Sequence, residues 1–335
     1  MKVAVDAANL IHDRRGMGRY VRSILAELPG HGIEPILVCR TENDCARVRE
    51  LGMRLHVCTP VQARAQRVEA SWFPWNGMRF DLRVPSVLSV YDLFAFENPH
   101  RNIVARFREQ RPIARGIAKA QSIATISEWS ARQIVERFGV RRSRVTILPP
   151  ALDPLWQPQP RSRTSQPFVL FVAGPEPRKN APVLFEAFER SFLKLDIGLT
   201  VAGTLSAQDE ERLARCNFHH TRVRPTDIEL RDLYANALAV AVPSRREGLG
   251  LVALEAMACG AAVLAANTAA LPEACGGAAW LIDPDDVAEW SRALTTVALD
   301  EDQRMIYQQR SVERAITIDR HAPARVMAGL LLALR

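Results

Sequence analysis

Short apolar runs alternate with longer amphipathic stretches along most of the chain. In the first half the runs are KVAVDA, PILVCR, RLHVCT, SVLSVYD, SIATIS and RVTILP. Runs of this kind, separated by helical stretches, are typical of strands in a parallel sheet that is covered by helices on both faces. The pattern therefore predicts βαβ units and a Rossmann-like α/β domain over residues 1–150.

The alternation stops once and then restarts. Residues 149–167 contain six prolines among polar residues, and we interpret 151–167 as a linker. The runs PFVLFVAG, IGLTVAG, HTRV, LAVAVPS, AAVLAAN and AAWLID then predict a second doubly wound domain over 168–318. Ligands bind beyond the carboxyl ends of the strands in such folds, so we expect a cleft between the two sheets. The last residues, 319–335, are predicted to form a helix that packs back across this cleft.

Capping signals mark several helix starts in the second half. Thr226 and Glu229 have the spacing of a capping box, and Asn180 and Asp286 are predicted N-caps. The acidic stretch DPDD, residues 283–286, is therefore interpreted as helix capping and not as a metal site.

Composition and charge narrow the class of protein. The chain has 335 residues, of which 48% are apolar and 24% charged, as in ordinary globular proteins. The net charge of +7 is uneven, because residues 1–150 carry 24 basic and 14 acidic side chains. Six scattered cysteines lack metal-ligand spacing and are interpreted as reduced core thiols of a cytoplasmic protein. No secretory signal or membrane span is expected.

A basic amphipathic stretch lies in the first half. In residues 101–119 the basic positions Arg108, Arg111, Arg115 and Lys119 recur at helical spacing beside Ile103, Phe107, Ile113 and Ile117. Such a helix can lie on an anionic membrane, or it can be a packed helix with a solvated basic face. Both interpretations stay open, whereas nucleic acid is not an expected partner because no recognition module is present.

The stretch GLGLVA, residues 248–253, fits the G-x-G-x-x-G/A fingerprint of dinucleotide-binding enzymes. A nicotinamide oxidoreductase is therefore one alternative. That function also requires an acidic residue at the end of the next strand to bind the ribose, and this position is Asn267. The fingerprint also does not follow the first strand of its domain, where that function requires it.

Two glutamates, Glu247 and Glu255, flank this glycine turn eight positions apart. The segment VPSRREGLGLVALEAMACGAAVLAANTAALPEACGGAAWLIDP resembles the C-terminal signature of the family 4 retaining glycosyltransferases, whose fold is GT-B. The resemblance extends, in the family's order, to RRGMGRY, SVYDLFAFENP, ISEWSARQIVERFGVRRSRVTILPPALDP, AGPEPRKN and RPTDIELRDLYANA. It therefore covers most of the chain.

The resemblance implies a metal-independent transferase that moves a sugar from a nucleotide-sugar donor, UDP- or GDP-linked, to a glycan or lipid-linked acceptor. It implies no further cofactor. The first domain would bind the acceptor, and the second would bind the donor. Attack would come from the front face, and the departing phosphate would take the acceptor proton. The enzyme would be cytoplasmic, with the inner face of the membrane as a hypothetical location.

Particular residues receive roles from this resemblance. Arg178 and Lys179 would stabilise the diphosphate, together with oriented backbone N–H groups at the helix start. Glu247 would bind the transferred sugar, Glu255 the ribose hydroxyls, and Asp92 would lie in the sugar pocket. The remaining predicted donor-binding residues are Gly16, Gly18, Val223, Gly248, Leu249, Gly250 and Leu251.

The chain also departs from the family pattern. Tyr91 precedes Asp92 where the family often has His, Ala151 occupies a common Gly position, and Gly174 replaces a second cation after the first strand of the donor domain. These departures keep a second alternative open, a nucleotide-sugar-binding protein with little or no transferase activity.

Overall fold

The computed structural model of the protein describes residues 1–12, 16–97, 102–160, 166–192 and 196–335. The described chain forms two compact units, one of Met1–Ala151 with Asp319–Arg335 and one of Leu152–Ile318. Parts of four predicted features lie outside the described residues: Arg14 and Arg15 of RRGMGRY, residues 98 and 99 of SVYDLFAFENP, Arg101 of the basic stretch, and 161–165 of the linker.

The first unit is built on a parallel sheet with helices between its strands. Its strands are β1 (Lys2–Asp6), β2 (Glu34–Val38), β3 (His56–Cys58), β4 (Ala70–Phe73), β5 (Ser86–Ser89), β6 (Ser122–Thr125) and β7 (Val145–Ile147). The connecting helices are α1 (Gly16–Glu27), α2 (Glu42–Arg49), α3 (Pro60–Ala65), α4 (Ile103–Lys119) and α5 (Glu128–Phe138). In the described part of this unit the strand order is β3-β2-β1-β4-β5-β6-β7.

Strand β4 was missed by the sequence prediction. Its four residues are all buried, but Ser71 interrupts the apolar run, and the segment ends at once in Pro74 and Trp75. The strand is central because it pairs with β1 on one side and β5 on the other. The flanking strands β1 and β5 bury this segment. By itself the segment is too short, and its apolar residues too interrupted by Ser71, to predict a strand.

The second unit repeats this architecture. Its strands are β8 (Phe168–Ala173), β9 (Gly198–Gly203), β10 (His220–Val223), β11 (Ala239–Val242), β12 (Val263–Ala266) and β13 (Trp280–Ile282). Its helices are α6 (Ala181–Phe192), α7 (Ala207–Ala214), α8 (Asp227–Asn236), α9 (Leu251–Ala258), α10 (Leu271–Cys275), α11 (Val287–Leu299) and α12 (Glu301–Ile316). Within the described residues these strands form a parallel sheet in the order β10-β9-β8-β11-β12-β13.

Each predicted apolar run of this second unit is a strand, and two of the predicted caps are confirmed. The side chain of Thr226 accepts a hydrogen bond from the Glu229 backbone in a complete capping box, and Asp286 caps α11 in the same way. Local signals of this kind depend on residues three positions apart, so the sequence contains them in full.

The two sheets begin with the same strand order. In each, the second and third strands lie on one side of the first strand, and the chain then crosses to the other side to form the fourth. The direction of winding therefore reverses between β1 and β4 in the first unit and between β8 and β11 in the second. Ligand sites in open α/β sheets lie outside the carboxyl ends of the strands at such a reversal. Each unit thus has one position where a site is expected.

The last helix, α13 (Ala322–Leu332), completes the core of the first unit. Ala324, Met327, Ala328 and Leu331 are buried in the same apolar cluster as Val21 and Leu25 of α1. His321, just before α13, also lies 2.8 Å from the Glu27 carboxylate through its Nδ1 atom. Residues that are last in the sequence are therefore part of the first fold unit.

The six cysteines are free thiols, and five of them are buried, as predicted for core residues. The exception is Cys216, which is only half-buried after α7. Burial raises the pKa of the Cys58 thiol to about 11. In the part of the chain that the structure describes, no helix combines the length and the apolar character that a bilayer crossing requires.

Candidate functional site

The strongest cluster of predicted site residues lies at the winding reversal of the second sheet. Strand β8 is followed by a loop that ends in a short 3₁₀ helix, Pro177–Lys179, and strand β11 is followed by the loop 243–250. Because β8 and β11 are adjacent and parallel, both loops leave the same edge of the sheet. The first loop carries Arg178 and Lys179, and the second carries Glu247.

These three side chains form one ion-pair cluster. The Lys179 Nζ atom donates to Glu247 Oε1 at 2.8 Å, and Arg178 Nη1 donates to Glu247 Oε2 at 3.2 Å. The side chains of Glu247 and Lys179 are each 14% exposed, and that of Arg178 is 25% exposed. The structure therefore brings together residues that the resemblance assigns to the diphosphate and to the sugar.

The electrostatics keep this carboxylate ionised. Burial alone would raise the pKa of Glu247, but the charges of Lys179 and Arg178 and their hydrogen bonds lower it below its ordinary value. Glu176 also lies 4.0 Å from Arg178, but its side chain is 51% exposed, so Glu247 is the more buried carboxylate that faces the two cations. Two mostly buried cations beside one mostly buried carboxylate are suited to an anionic ligand such as a diphosphate.

Backbone contacts fix the two loops relative to each other. The Arg245 N–H donates to the Arg178 carbonyl at 2.8 Å, and the Asn180 amide donates to the carbonyls of Pro243 at 3.1 Å and Pro284 at 2.8 Å. Asn180 has a left-handed backbone with φ of 56° and directly precedes α6. Beyond the predicted position at a helix start, this amide ties together the loops that follow β8, β11 and β13.

Gly174 ends the strand side of the first loop. A Cβ atom here would lie 2.4 Å from a Glu176 carboxylate oxygen and 3.4 Å from Cγ of Lys179. The Glu176 side chain is half exposed and can move, so the glycine is not required sterically. Because a glycine carries no charge, Arg178 and Lys179 remain as the cations of this loop.

Helix α9 opens directly beside the ion-pair cluster. Gly250 precedes its first residue with φ of 88°, and its carbonyl accepts from the N–H groups of Ala253 and Leu254. Among the described residues no side chain caps this helix start. The first N–H groups of a helix have no acceptor within the helix, and they favour an anion at this end. The predicted donor-binding residues Gly248, Leu249, Gly250 and Leu251 lie at this helix start.

Glu255 lies one turn into α9 and has a partner that the sequence analysis did not identify. The hydroxyl of Tyr234 donates to Glu255 Oε2 at 3.3 Å. Tyr234 is buried, and its ring packs edge to face on Trp156 with centroids 5.7 Å apart. A buried tyrosine whose hydroxyl contacts a half-buried carboxylate orients that carboxylate. The sequence shows only a tyrosine in the last turn of α8, and such a tyrosine by itself predicts a core residue and not a contact with Glu255.

The remaining predicted residues lie elsewhere. Val223 is the last residue of β10, the outermost strand of the second sheet, and lies where the carboxyl ends of the strands and the cluster also lie. Asp92, Gly16 and Gly18 belong to the first unit. Asp92 follows β5 and accepts a hydrogen bond from the Phe94 N–H at 3.1 Å, and Gly16 is the first residue of α1. In the described ranges, no group of three or more His, Cys, Asp or Glu side chains has a metal-holding arrangement.

Most of the second unit is similar to a known protein family. Residues 153–314 match the family described as Glycosyl transferases group 1. The chain is 27% identical over 249 residues to the O-antigen chain mannosyltransferase B of Escherichia coli and 31% identical over 264 residues to the D-inositol 3-phosphate glycosyltransferase of Nocardia farcinica. These matches cover 69% and 70% of this chain, but only 65% and 58% of the two relatives.

The fold is also that of known glycosyltransferases. The Anabaena protein HepE, solved in complex with UDP and glucose, superposes with a TM-score of 0.75 over 99% of this chain and 100% of its own, at 16% identity. The prediction of two Rossmann-like domains in the GT-B fold is confirmed. Together, the comparisons show that residues 153–314 are similar to Glycosyl transferases group 1 and that the described chain has the GT-B fold.

Proposed function

We propose that the protein is a retaining, metal-independent glycosyltransferase of family 4. It transfers a hexose from a UDP- or GDP-linked donor to a glycan or lipid-linked acceptor. The observation that carries this proposal is the cluster of Arg178, Lys179 and Glu247 at the winding reversal of the matched domain. Retention of configuration rests on the sequence resemblance.

The cluster suggests how the leaving group is stabilised. As the glycosidic bond breaks, negative charge grows on the diphosphate, and cations that are already in place lower the barrier without reorganisation. The diphosphate competes with Glu247 for Arg178 and Lys179. The carboxylate that it releases becomes an acceptor for a hydroxyl of the transferred sugar, while Glu255, oriented by Tyr234, accepts from the ribose hydroxyls.

The comparisons support the choice of donor class. The Escherichia coli relative is named a mannosyltransferase, and HepE was solved with UDP and glucose, which favours a nucleotide-linked hexose. The first unit, with Gly16, Gly18 and Asp92, is the proposed side for the acceptor and the reacting sugar. The proposed location is the cytoplasm, at the inner face of a membrane.

Helix α4 supports a membrane location only in part. Ile113 and Ile117 of the predicted apolar stripe are buried in the core, whereas Ile103 and Phe107 are 79% and 60% exposed. The exposed pair precedes Arg108 and Arg111 on the same helix. Replacing Ile103 and Phe107 with Asn should abolish sedimentation with vesicles of anionic lipid, whereas Val61→Asn, at another exposed apolar position, should not. Equal sedimentation of both variants would reject membrane insertion of α4.

The activity is tested with a panel of UDP-, GDP- and ADP-hexoses, by measuring nucleoside diphosphate release and the anomeric configuration of the product. Lys179→Ala should lower the rate at saturating donor about 100-fold, as expected for the loss of one group that stabilises transition-state charge. Lys119→Ala, which removes an exposed cation paired with Asp81, is the matched control and should leave the rate unchanged. EDTA should have no effect.

Three outcomes would contradict the proposal. Tight nucleotide binding without turnover would indicate the binding-protein alternative, and selective binding of NAD would indicate the oxidoreductase. Activity that EDTA removes and Mg²⁺ restores would reject metal independence.

A further inference from the structure

A polar cavity lies in the first unit. It encloses about 580 Å³ and is lined by Arg40, Arg79, Arg108, Arg111 and Arg115, with Glu109 as the acidic lining residue. Arg40 follows β2, Arg79 follows β4, and the other three arginines lie on α4. The first sheet reverses its winding between β1 and β4, so this cavity opens near the edge where doubly wound sheets bind ligands.

A buried carboxylate lies beneath the cavity. Asp6 ends β1 and is 1% exposed, and its Oδ2 atom lies 3.9 Å from Nη1 of Arg79. Both of these buried atoms lack a hydrogen-bond partner within the described residues. The Trp75 indole, which also lines the cavity, donates to the Asp6 carbonyl at 2.7 Å. The Asp6–Arg79 pair is therefore close enough for attraction but leaves hydrogen-bonding capacity unused.

The number of arginines exceeds what this pair needs. Arg79 and Arg40 both attract Asp6 electrostatically, and Arg115 attracts Asp81 in the same way. Arg108 forms no ion pair with any described residue, while Arg111 lies over the ring of Phe107 at 5.8 Å. Five guanidinium groups therefore face the carboxylates of Glu109, Asp6 and Asp81, and Asp81 is also paired with Lys119. A solvated basic helix face would explain the three arginines of α4, but it does not explain why Arg40 and Arg79 converge on them from two different loops.

We propose that this cavity binds a phosphoryl group carried by the acceptor. The arginine fork donates two parallel hydrogen bonds to phosphate oxygens, and a cavity with several excess positive charges suits a dianionic phosphate better than a single carboxylate. Arg79, whose buried Nη1 makes no hydrogen bond within the described residues, would donate to the phosphoryl oxygens from below, and Arg111 and Arg115 would do so from α4. The assignment to the acceptor rests on the proposed function, whereas the binding of phosphate does not.

Calorimetric titration tests the binding itself. Glucose 6-phosphate is the probe, glucose is the control without phosphate, and glucuronate is the control with a carboxylate. The intact protein should bind the sugar phosphate at least about tenfold more tightly than glucuronate, with no detectable binding of glucose. Equal binding of glucuronate and the sugar phosphate would overturn the phosphoryl assignment, and so would the absence of binding to both phosphoryl probes, the sugar phosphate and phosphatidate vesicles.

Variants locate the bound probe. Arg111→Ala and Arg40→Ala change exposed side chains and should weaken phosphoryl binding about tenfold, and Arg79→Lys should also weaken it because the fork is lost while the charge remains. Arg47→Ala, an exposed arginine of α2 outside the cavity, should bind like the unchanged protein. Similar affinities in Arg111→Ala, Arg40→Ala and Arg47→Ala would place the probe elsewhere and overturn the proposal.

The source of the phosphoryl group is tested separately. Vesicles containing phosphatidate, compared with vesicles of phosphatidylcholine alone, represent a lipid headgroup, and glucose 6-phosphate represents a soluble sugar phosphate. Tighter binding of one probe than of the other identifies the source. UDP titration and donor turnover are measured on the same samples. Phosphoryl binding without any turnover would reject the transferase and the acceptor assignment. Turnover with every phosphorylated acceptor that is unchanged by Arg111→Ala and Arg40→Ala would reject this inference alone.

Discussion

Glu247 is the residue on which the chemistry of the second unit depends most. Its carboxylate contacts both cations of the neighbouring loop, so the same group that is proposed to bind the sugar also competes for the charges that are proposed to bind the diphosphate. Glu255 has a different environment, since the hydroxyl of Tyr234 donates to its carboxylate. The two glutamates are therefore expected to respond differently to the same substitution.

Replacing each glutamate with Gln separates their roles. Glu255→Gln should weaken binding of the bare nucleoside diphosphate about 10- to 150-fold, the loss of hydrogen bonds to a charged group. Glu247→Gln should bind it at least as tightly as the unchanged protein, because Arg178 and Lys179 lose their competing anion, yet it should transfer sugar more slowly. Calorimetry and transfer rates at saturating donor measure both quantities. The reverse pattern would exchange the two assignments.

The pH dependence of stability reports on the same cluster. Two cations hold the pKa of Glu247 below its ordinary value despite the burial that opposes them, so its ionised form stabilises the fold above pH 4.5 and this contribution is lost as the pH falls through the folded-state pKa. The free energy of unfolding should therefore be about 1 to 3 kcal/mol lower in Glu247→Gln at pH 7, and the difference should shrink below pH 4.5.

Urea unfolding of both proteins between pH 7 and pH 3.5 gives this difference. Glu211→Gln removes a mostly exposed carboxylate paired with Arg215 and should change the free energy of unfolding by less than about 1 kcal/mol. A difference for Glu247→Gln that stays constant down to pH 3.5 would show that Glu247 does not titrate as the cluster requires.

At the scale of secondary-structure elements, the start of α9 is set by backbone geometry. Gly250 combines a left-handed φ of 88° with close packing, since a Cβ atom there would lie 2.9 Å from Cδ2 of Leu271. The helix start beside the cluster therefore needs a residue without a side chain. Asn180 holds the loop that leads to this helix, because its side-chain amide donates to the carbonyl of Pro243 as well as to that of Pro284.

Gly250→Ala should lower stability by about 1 to 3 kcal/mol through backbone strain, with a further loss from the contact with Leu271. Gly277→Ala is the matched control, because Gly277 has a similar φ of 81° but nothing within 4 Å of its Cβ position. Thermal unfolding of both variants isolates the steric part. Equal effects would show that α10 moves aside and that packing at Gly250 is not restrictive.

At the scale of the whole molecule, the chain forms two compact units, and the first of them is built from two separate stretches of the sequence. The first unit requires the final helix, whose buried residues complete a core built from strands and helices near the N-terminus. The stability of the first unit therefore depends on residues that follow the second unit in the chain.

Leu331→Ala should lower the free energy of unfolding of the first unit by about 2 to 5 kcal/mol, because Leu331 is fully buried. Leu332→Ala, one position further on the same helix and 38% exposed, should have a much smaller effect. Hydrogen exchange should show faster exchange in Met1–Ala151 of Leu331→Ala, and unchanged exchange in Leu152–Ile318. Faster exchange confined to Leu152–Ile318 would contradict the observed division of the chain.

The sequence by itself determined the class of fold and much of the local structure. Apolar runs marked every strand except β4, and the capping box at Thr226 and the cap at Asp286 were legible because helix and strand signals depend on residues only a few positions apart. The E-x7-E motif and the pair Arg178–Lys179 were also found as motifs, each within one stretch of sequence.

Only the tertiary structure decided which of these groups meet. Lys179 and Glu247 are 68 positions apart, and Asp6 and Arg79 are 73 apart; they come together because strand order places β8 beside β11 and β1 beside β4. The short Ser-containing strand β4, the Tyr234 contact with Glu255 and the return of α13 to the first unit have the same origin. These features are stabilised by contacts with residues that are distant in the sequence. A pattern that spans only a few residues does not indicate which distant residues those are.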